Sequence, residues 1–178
     1  MISPTRSFAA AALALAGLLA LAAGPAPAQT RTIATGGNPA SVVVYGDAEA
    51  LATLEDGTVL AARAVAGRGR VVAIGHGGYL NDDRGDTEAF LEEISLWLLD
   101  SKAQARAWGV PDALRERLAG AGVTLEPIGG GIDRLDLAGV DLMIASPQAF
   151  DRAGRLEGLH AWLVSGGALL SAETAWGQ

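Results

Sequence analysis

The 178-residue sequence contains no cysteine. Thiol nucleophiles, cysteine metal sites and disulfide staples are therefore excluded. Lysine occurs once, at Lys102, against twelve arginines, and histidine only at His76 and His160. Those two lie 84 positions apart (160 − 76) and outside any H-E-x-x-H pattern, so the spacing of a zinc site is missing. Basic residues are outnumbered 13 to 20 by acidic ones, a formal net charge of −7. Polyanions gain nothing from such a surface, so neither nucleic acid nor anionic lipid is an expected partner.

The first residues have the grammar of a secretory signal peptide: Arg6, an Ala/Leu run from Phe8 to Ala23, and Ala26-Pro27-Ala28 before Gln29. The run spans 16 residues, short of the roughly 20 that a membrane-spanning helix needs. Cleavage after Ala28 is therefore expected, without a stable membrane anchor. No cysteine follows the run, which excludes a lipid anchor, and a lone arginine argues against a twin-arginine signal. The expected location is the periplasm or exterior of a bacterium. An arginine-, alanine- and glycine-rich composition fits a GC-rich genome. Removing residues 1–28 leaves 150 residues (178 − 28) and a net charge of −8 (12 − 20), enough chain for one domain stabilised by core burial.

Residues 29–40, "QTRTIATGGNPA", lack apolar periodicity and read as a linker. "SVVVY" at 41–45 reads as a strand ending at Gly46-Asp47. "TVLAARAV" and "VVAIG" flank the turn "GRGR", a hairpin whose Arg68 and Arg70 are expected on its solvated tip and edge. The period then changes to that of a helix. Phe90, Leu91, Ile94, Trp97 and Leu98 share one face, Glu92 and Glu93 the other, and Asp86 is the expected N-cap. From residue 101 onward strands and helices alternate. "AQARAW", "VTLEPI", "VDLMIA" and "ALLSA" read as strands, with one helix beginning at Pro111 and another faced by Leu156, Leu159 and Leu163. The expected fold is α/β, with an open, mostly parallel sheet preceded by a hairpin. The domain, residues 41–178, divides into hairpin plus helix (41–100) and βα repeats (101–178). Ending on a strand without a covering helix, it is expected to be incomplete at its C-terminus.

On such a sheet a class I glutamine amidotransferase is the obvious enzyme, but its cysteine is missing. A serine nucleophile needs a G-x-S-x-G elbow, and neither Ser146, before a proline, nor Ser165, at a helix end, has one. The triple glycine 129–131 lacks the spacing and the Lys-Ser/Thr of a phosphate loop. Asp82, Asp83 and Asp86 fit no EF-hand spacing, and a solvated loop with a helix cap explains them. No cofactor is expected. His160, between Leu156 and Leu163, reads as a packed, hydrogen-bonded side chain. That leaves a strand-end group: His76, with Asp47 as an orienting carboxylate and Tyr79 nearby. Strand ends are where open α/β sheets place ligands, and an imidazole there could serve as a general base. The alternative is that His76 holds the glycine-rich bend.

The run "VVVYGDAEAL", then "VLAARAVAGRGRVVAIGHGGYL", a helix bearing "WLL", and finally "SGGALLSAETAWGQ" resembles a known module. It is similar to the N-terminal, amidotransferase-like region of the TRP-channel-associated factor and enhancin-like (mucin-active) metallopeptidase superfamily. Gly46, Asp47, His76 and Tyr79 stand at recurring positions of that pattern, none with an established role. The resemblance covers residues 41–178 and implies a non-catalytic region, with peptidase chemistry in a separate downstream domain carrying H-E-x-x-H. It implies an exported accessory module of a glycan- or protein-directed machine, with a glycan, a glycoprotein or that peptidase domain as partner. The alternative from the residues is a small periplasmic hydrolase or ligand-binding protein using the His76 loop.

Overall fold

The computed structural model describes residues 32–33 and 40–172, all within the unit Arg31–Gln178. The expected signal peptide, nearly all of the linker and the segment 173–178 with Trp176 lie outside the described residues. Seven strands form one sheet: β1 (Glu49–Thr53), β2 (Val59–Ala66), β3 (Gly69–Ile74), β4 (Gln104–Trp108), β5 (Thr124–Ile128), β6 (Leu142–Ile144) and β7 (Ala168–Ala172). Their order is β1-β2-β3-β7-β6-β4-β5. The β1–β2 and β2–β3 pairs are antiparallel, and every pair from β3 through β7, β6 and β4 to β5 is parallel. The fold is thus the expected α/β class, an open and mostly parallel sheet entered through a hairpin.

Among the described residues four α-helices cover the sheet: α1 (Thr87–Leu99), α2 (Asp112–Gly120), α3 (Pro147–Arg152) and α4 (Leu156–Ser165). Alternation along the strands divides the core between two faces. Val72, Ile74, Ala107 and Leu170 pack with Phe90, Leu91, Ile94 and Leu98 of α1 and with Leu114 and Leu118 of α2. Leu169 and Met143 pack with Phe150 of α3 and with Leu159 and Trp162 of α4. Val72, Leu91, Leu118 and Leu170 are fully buried, each contributing about 1.5–3 kcal/mol by leaving water.

The hairpin forms where expected. Gly67-Arg68 joins Ala66 to its partner Gly69, and Gly67 supplies the positive φ, 63°, that such a two-residue turn requires. Arg68 sits on the tip, its guanidinium donating to the Ser165 carbonyl at 2.8 Å. Arg70 departs from expectation. Instead of lying on a solvated edge it stacks 5.2 Å from the Trp97 ring and donates to the Trp97 carbonyl and the Asp100 carboxylate, each at 2.5 Å. A cation suits the carbonyl end of α1, and the bond helps hold Asp100 and Ser101, consecutive non-glycine residues at φ 51° and 65°.

Three further expectations are corrected. Residues 41–45 form no strand. Val42 donates to the Val59 carbonyl, while Val43 and Tyr45 stay 69% and 81% exposed. The edge strand is instead Glu49–Thr53, which has the poorer β propensity but a partner in β2. Asp86 does stand at the N-cap of α1, its carbonyl accepting from the Phe90 amide at 2.9 Å, while its carboxylate accepts from the Thr32 amide at 2.9 Å rather than from the helix. His160 is exposed rather than packed, because Leu159 and Trp162 take the inward positions of α4 and leave Leu156 47% exposed. Pro111 occupies the N-cap of α2 rather than its first turn.

The start of β3 runs against the end of α4, where a Cβ on Gly69 would collide with the Leu163 and Gly167 carbonyl oxygens. Gly69→Ala is therefore expected to cost about 1–3 kcal/mol in urea unfolding, as other overpacked sites do. Gly129→Ala, where a Cβ meets open space, should cost clearly less. Equal values would contradict the close approach.

Candidate functional site

The C-terminal ends of β3, β6, β4 and β5 lie along one rim of the sheet, where open α/β folds hold ligands. At β3 the chain is pinned: Gly75 donates to the Leu60 carbonyl at 2.8 Å and accepts from the Ala40 amide at 3.3 Å. A Cβ on Gly75 would strike the Ala40 oxygen, so a side chain has no room where that strap passes. His76 follows in extended geometry (φ −157°, ψ 130°) and caps the 3-10 turn Gly77–Asn81. Its Nδ1 accepts from the Gly78 amide at 2.8 Å, which leaves the proton on Nε2. At 9% exposure the imidazole is buried.

Tyr79 is brought to His76, their rings 5.9 Å apart and tilted by 44°. It turns into the α1 and α2 side of the core and is 2% exposed. Among the described residues its hydroxyl has no hydrogen-bond partner, and burial pushes the phenol above its ordinary pKa. Asp47 is not brought to this pair. It occupies the exposed turn before β1, and among the described residues no hydrogen bond joins it to His76. The imidazole nitrogen expected to meet a carboxylate is held by a backbone amide instead.

Two of the carboxylates after the bend are engaged. Asp82 accepts from the Arg84 side chain, with Nε at 2.9 Å and Nη2 at 2.5 Å, and from the Arg84 amide at 3.0 Å. Those bonds, the side-chain ones foremost, lower its pKa to about 2. Asp86 is taken by Thr32. Among the described residues no group of three or more His, Asp or Glu side chains gathers to hold a metal ion.

Farther along the rim the chain reverses direction across the sheet. From β4 it moves outward through α2 to β5, and from β6 it moves the other way through α3 and α4 to β7. At that switch Gly109 has φ 74° and passes so close to the Ile144 carbonyl that a Cβ would collide with it. Ser146, dismissed as a nucleophile, caps α3 by accepting from the Gln148 amide at 3.2 Å. The glycine-rich loop after β5 is fastened by its carbonyls. Trp108 Nε1 donates to Gly130 at 3.1 Å, and Arg155 donates to Ile132 and, at 2.6 Å, to Leu135. Sequence reasoning missed Trp108 and Arg155, whose partners lie 20 to 23 positions away.

Solved structures of similar fold include two of the same protein. The chain is similar in fold to part of IMPa. The structure of IMPa from Pseudomonas aeruginosa in complex with an O-glycopeptide aligns over 74% of this chain, with 20% identity and a TM-score of 0.52. A second structure, described as the IMPa metallopeptidase from the same organism, aligns over 74% with 18% identity and a TM-score of 0.51. In both cases the match spans 16% of the other chain. Identity at that level speaks for the fold alone. No protein-family profile matches the sequence, and no curated protein does.

Because the His76 side chain is a cap and the Tyr79 hydroxyl has no partner among the described residues, their variants should diverge. His76→Ala is expected to lose about 1 kcal/mol, as cap deletions do, while His76→Asn, which keeps an acceptor, loses less. Tyr79→Phe should be neutral or gain up to about 1 kcal/mol. Thermal and urea unfolding of the three variants check this; a clear loss in Tyr79→Phe would show that the hydroxyl is engaged.

Proposed function

We propose that the chain is an exported, non-catalytic module of the amidotransferase-like kind, serving a larger metallopeptidase-type protein that acts on glycans or glycoproteins. The observation that carries this reading is the fold likeness to a segment amounting to 16% of IMPa. A chain without cysteine and without H-E-x-x-H supports it, since neither amidotransferase nor metallopeptidase chemistry has its residues here. Residues 1–28 act as the export signal, and the mature chain works in the periplasm or outside the cell. Its partner is a glycan or glycoprotein, or the peptidase domain it accompanies. The His76 bend supports this reading better than a hydrolase: a general base needs a ring nitrogen free to take a proton, and Nδ1 is already occupied.

Incubating the mature chain with a mucin-type O-glycopeptide and with its deglycosylated counterpart tests both halves of the proposal. Mass spectrometry should find both peptides intact, with or without added zinc, and surface binding should retain the glycosylated one in preference. Release of fragments would overturn the non-catalytic assignment. Equal retention of the two peptides would overturn the glycan-directed one.

A further inference from the structure

Val42-Val43-Val44-Tyr45 is an unbroken run of β-branched and aromatic residues, the composition that favours strands. Among the described residues only one amide of the run donates to a carbonyl, that of Val42 to Val59 at 2.8 Å. The side chains alternate. Val42 and Val44 are half-buried, whereas Val43 and Tyr45 are 69% and 81% exposed. The outward face is therefore apolar, where a strand facing water carries polar groups. The two edges of the sheet are guarded against pairing with another chain. The β1 edge has register shifts on either side of Ala52, and β5 carries Glu126 and Pro127, which has no amide to donate. Residues 41–45 carry neither charge nor proline.

We propose that residues 41–45 form a pairing strand for a second copy of this chain, antiparallel about a two-fold axis at Val43. That register sets Val43 against Val43 of the partner subunit, and Ser41 against Tyr45 of the partner subunit. The occupant follows from charge. The mature chain has a net charge of −8 (12 − 20), so two copies repel except where a surface is uncharged. This run is such a surface. The antiparallel register also keeps the two Asp47 carboxylates at opposite ends of the ladder, farther apart than the screening length of about 8 Å. A parallel register would bring them side by side. Symmetry then satisfies both copies at once, since each supplies the uncharged apolar strand that the other needs. Five residues bury less than the roughly 1,200 Å² of a standard interface, so the dimer is weak and reversible. The inference does not depend on the accessory role proposed above and survives its failure.

Sedimentation equilibrium of the mature chain from about 10 μM to about 1 mM, the range in which small interfaces dissociate, tests it. A monomer–dimer equilibrium is expected. Val43→Lys sets two ammonium groups opposite each other and should weaken dimerisation at least about tenfold. Val43→Thr, which keeps a branched uncharged side chain, should stay within about threefold of the parent. Because the chain has no cysteine, single-thiol variants report the register. Residues directly opposite in an antiparallel pair have Cα atoms about 4.5–5.5 Å apart, within reach of a disulfide. Oxidised Val43→Cys should therefore give a covalent dimer at least about tenfold faster than Val65→Cys, a change at a β2 residue that is 67% exposed. A chain that stays monomeric throughout that range, unchanged dimerisation in Val43→Lys, or equal cross-linking of the two thiol variants would each overturn the proposal. The cross-linking comparison decides the matter even if Val43→Lys fails to fold.

Discussion

Five consecutive residues of β3, Arg70 to Ile74, pair in parallel with Ala168 to Ala172 of β7. That ladder connects an antiparallel hairpin made early in the chain to a parallel sheet completed about a hundred residues later. Both cores run through it. Val72 and Leu170 turn toward α1, whereas Val71 and Leu169 turn toward α4. The ladder also dictates what flanks it: at its start Gly69 must lack a side chain for α4 to close, and Arg70 reaches the end of α1. Without it, β1 to β3 would be a three-stranded hairpin with one face uncovered, and α1 would have no sheet to cross. Loop-closure entropy opposes such a distant pairing, so fully buried Val72 and Leu170 have to offset it.

The rim shows how such a sheet treats the residues that look chemical. His76 accepts a backbone amide, Asp82 is neutralised by Arg84, Ser146 caps a helix, and Arg155 fastens a loop. Each is a polar side chain answering a backbone or charge demand set up by a strand end, which is what buried or half-buried polar groups must do. The Tyr79 hydroxyl escapes that accounting, being buried with no hydrogen-bond partner among the described residues.

What could be read from the sequence had local causes. The hairpin followed from Gly67 and alternating apolar residues, α1 from its 3.6-residue period, and β6 and β7 from continuous apolar runs between glycines. What escaped was decided by distant partners. Residues 41–45 have the stronger β propensity, yet Glu49–Thr53 wins the edge because Glu49 meets Arg63 at 2.6 Å and the backbone registers with β2. The six residues of α3 are too few to show a period, although Ser146-Pro147 was a cap signal in plain view. His160 faces water because Trp162, not Leu156, takes the inner face of α4; the Trp162 indole donates to the Val140 carbonyl at 2.8 Å and fixes the rotation of the helix. At the site, the bend at His76 was legible, but the company it keeps was not.

Native-state hydrogen exchange tests the dependence on the β3–β7 ladder most directly. If that ladder unites hairpin and parallel sheet, the amides of Val72 and Leu170 should open with the same free energy as those of Ala107 and Met143. All four should then track global unfolding as urea is added. Exchange in β2 and β3 through a smaller, urea-independent opening, while β4 and β6 stay protected, would show two separable units and contradict the account.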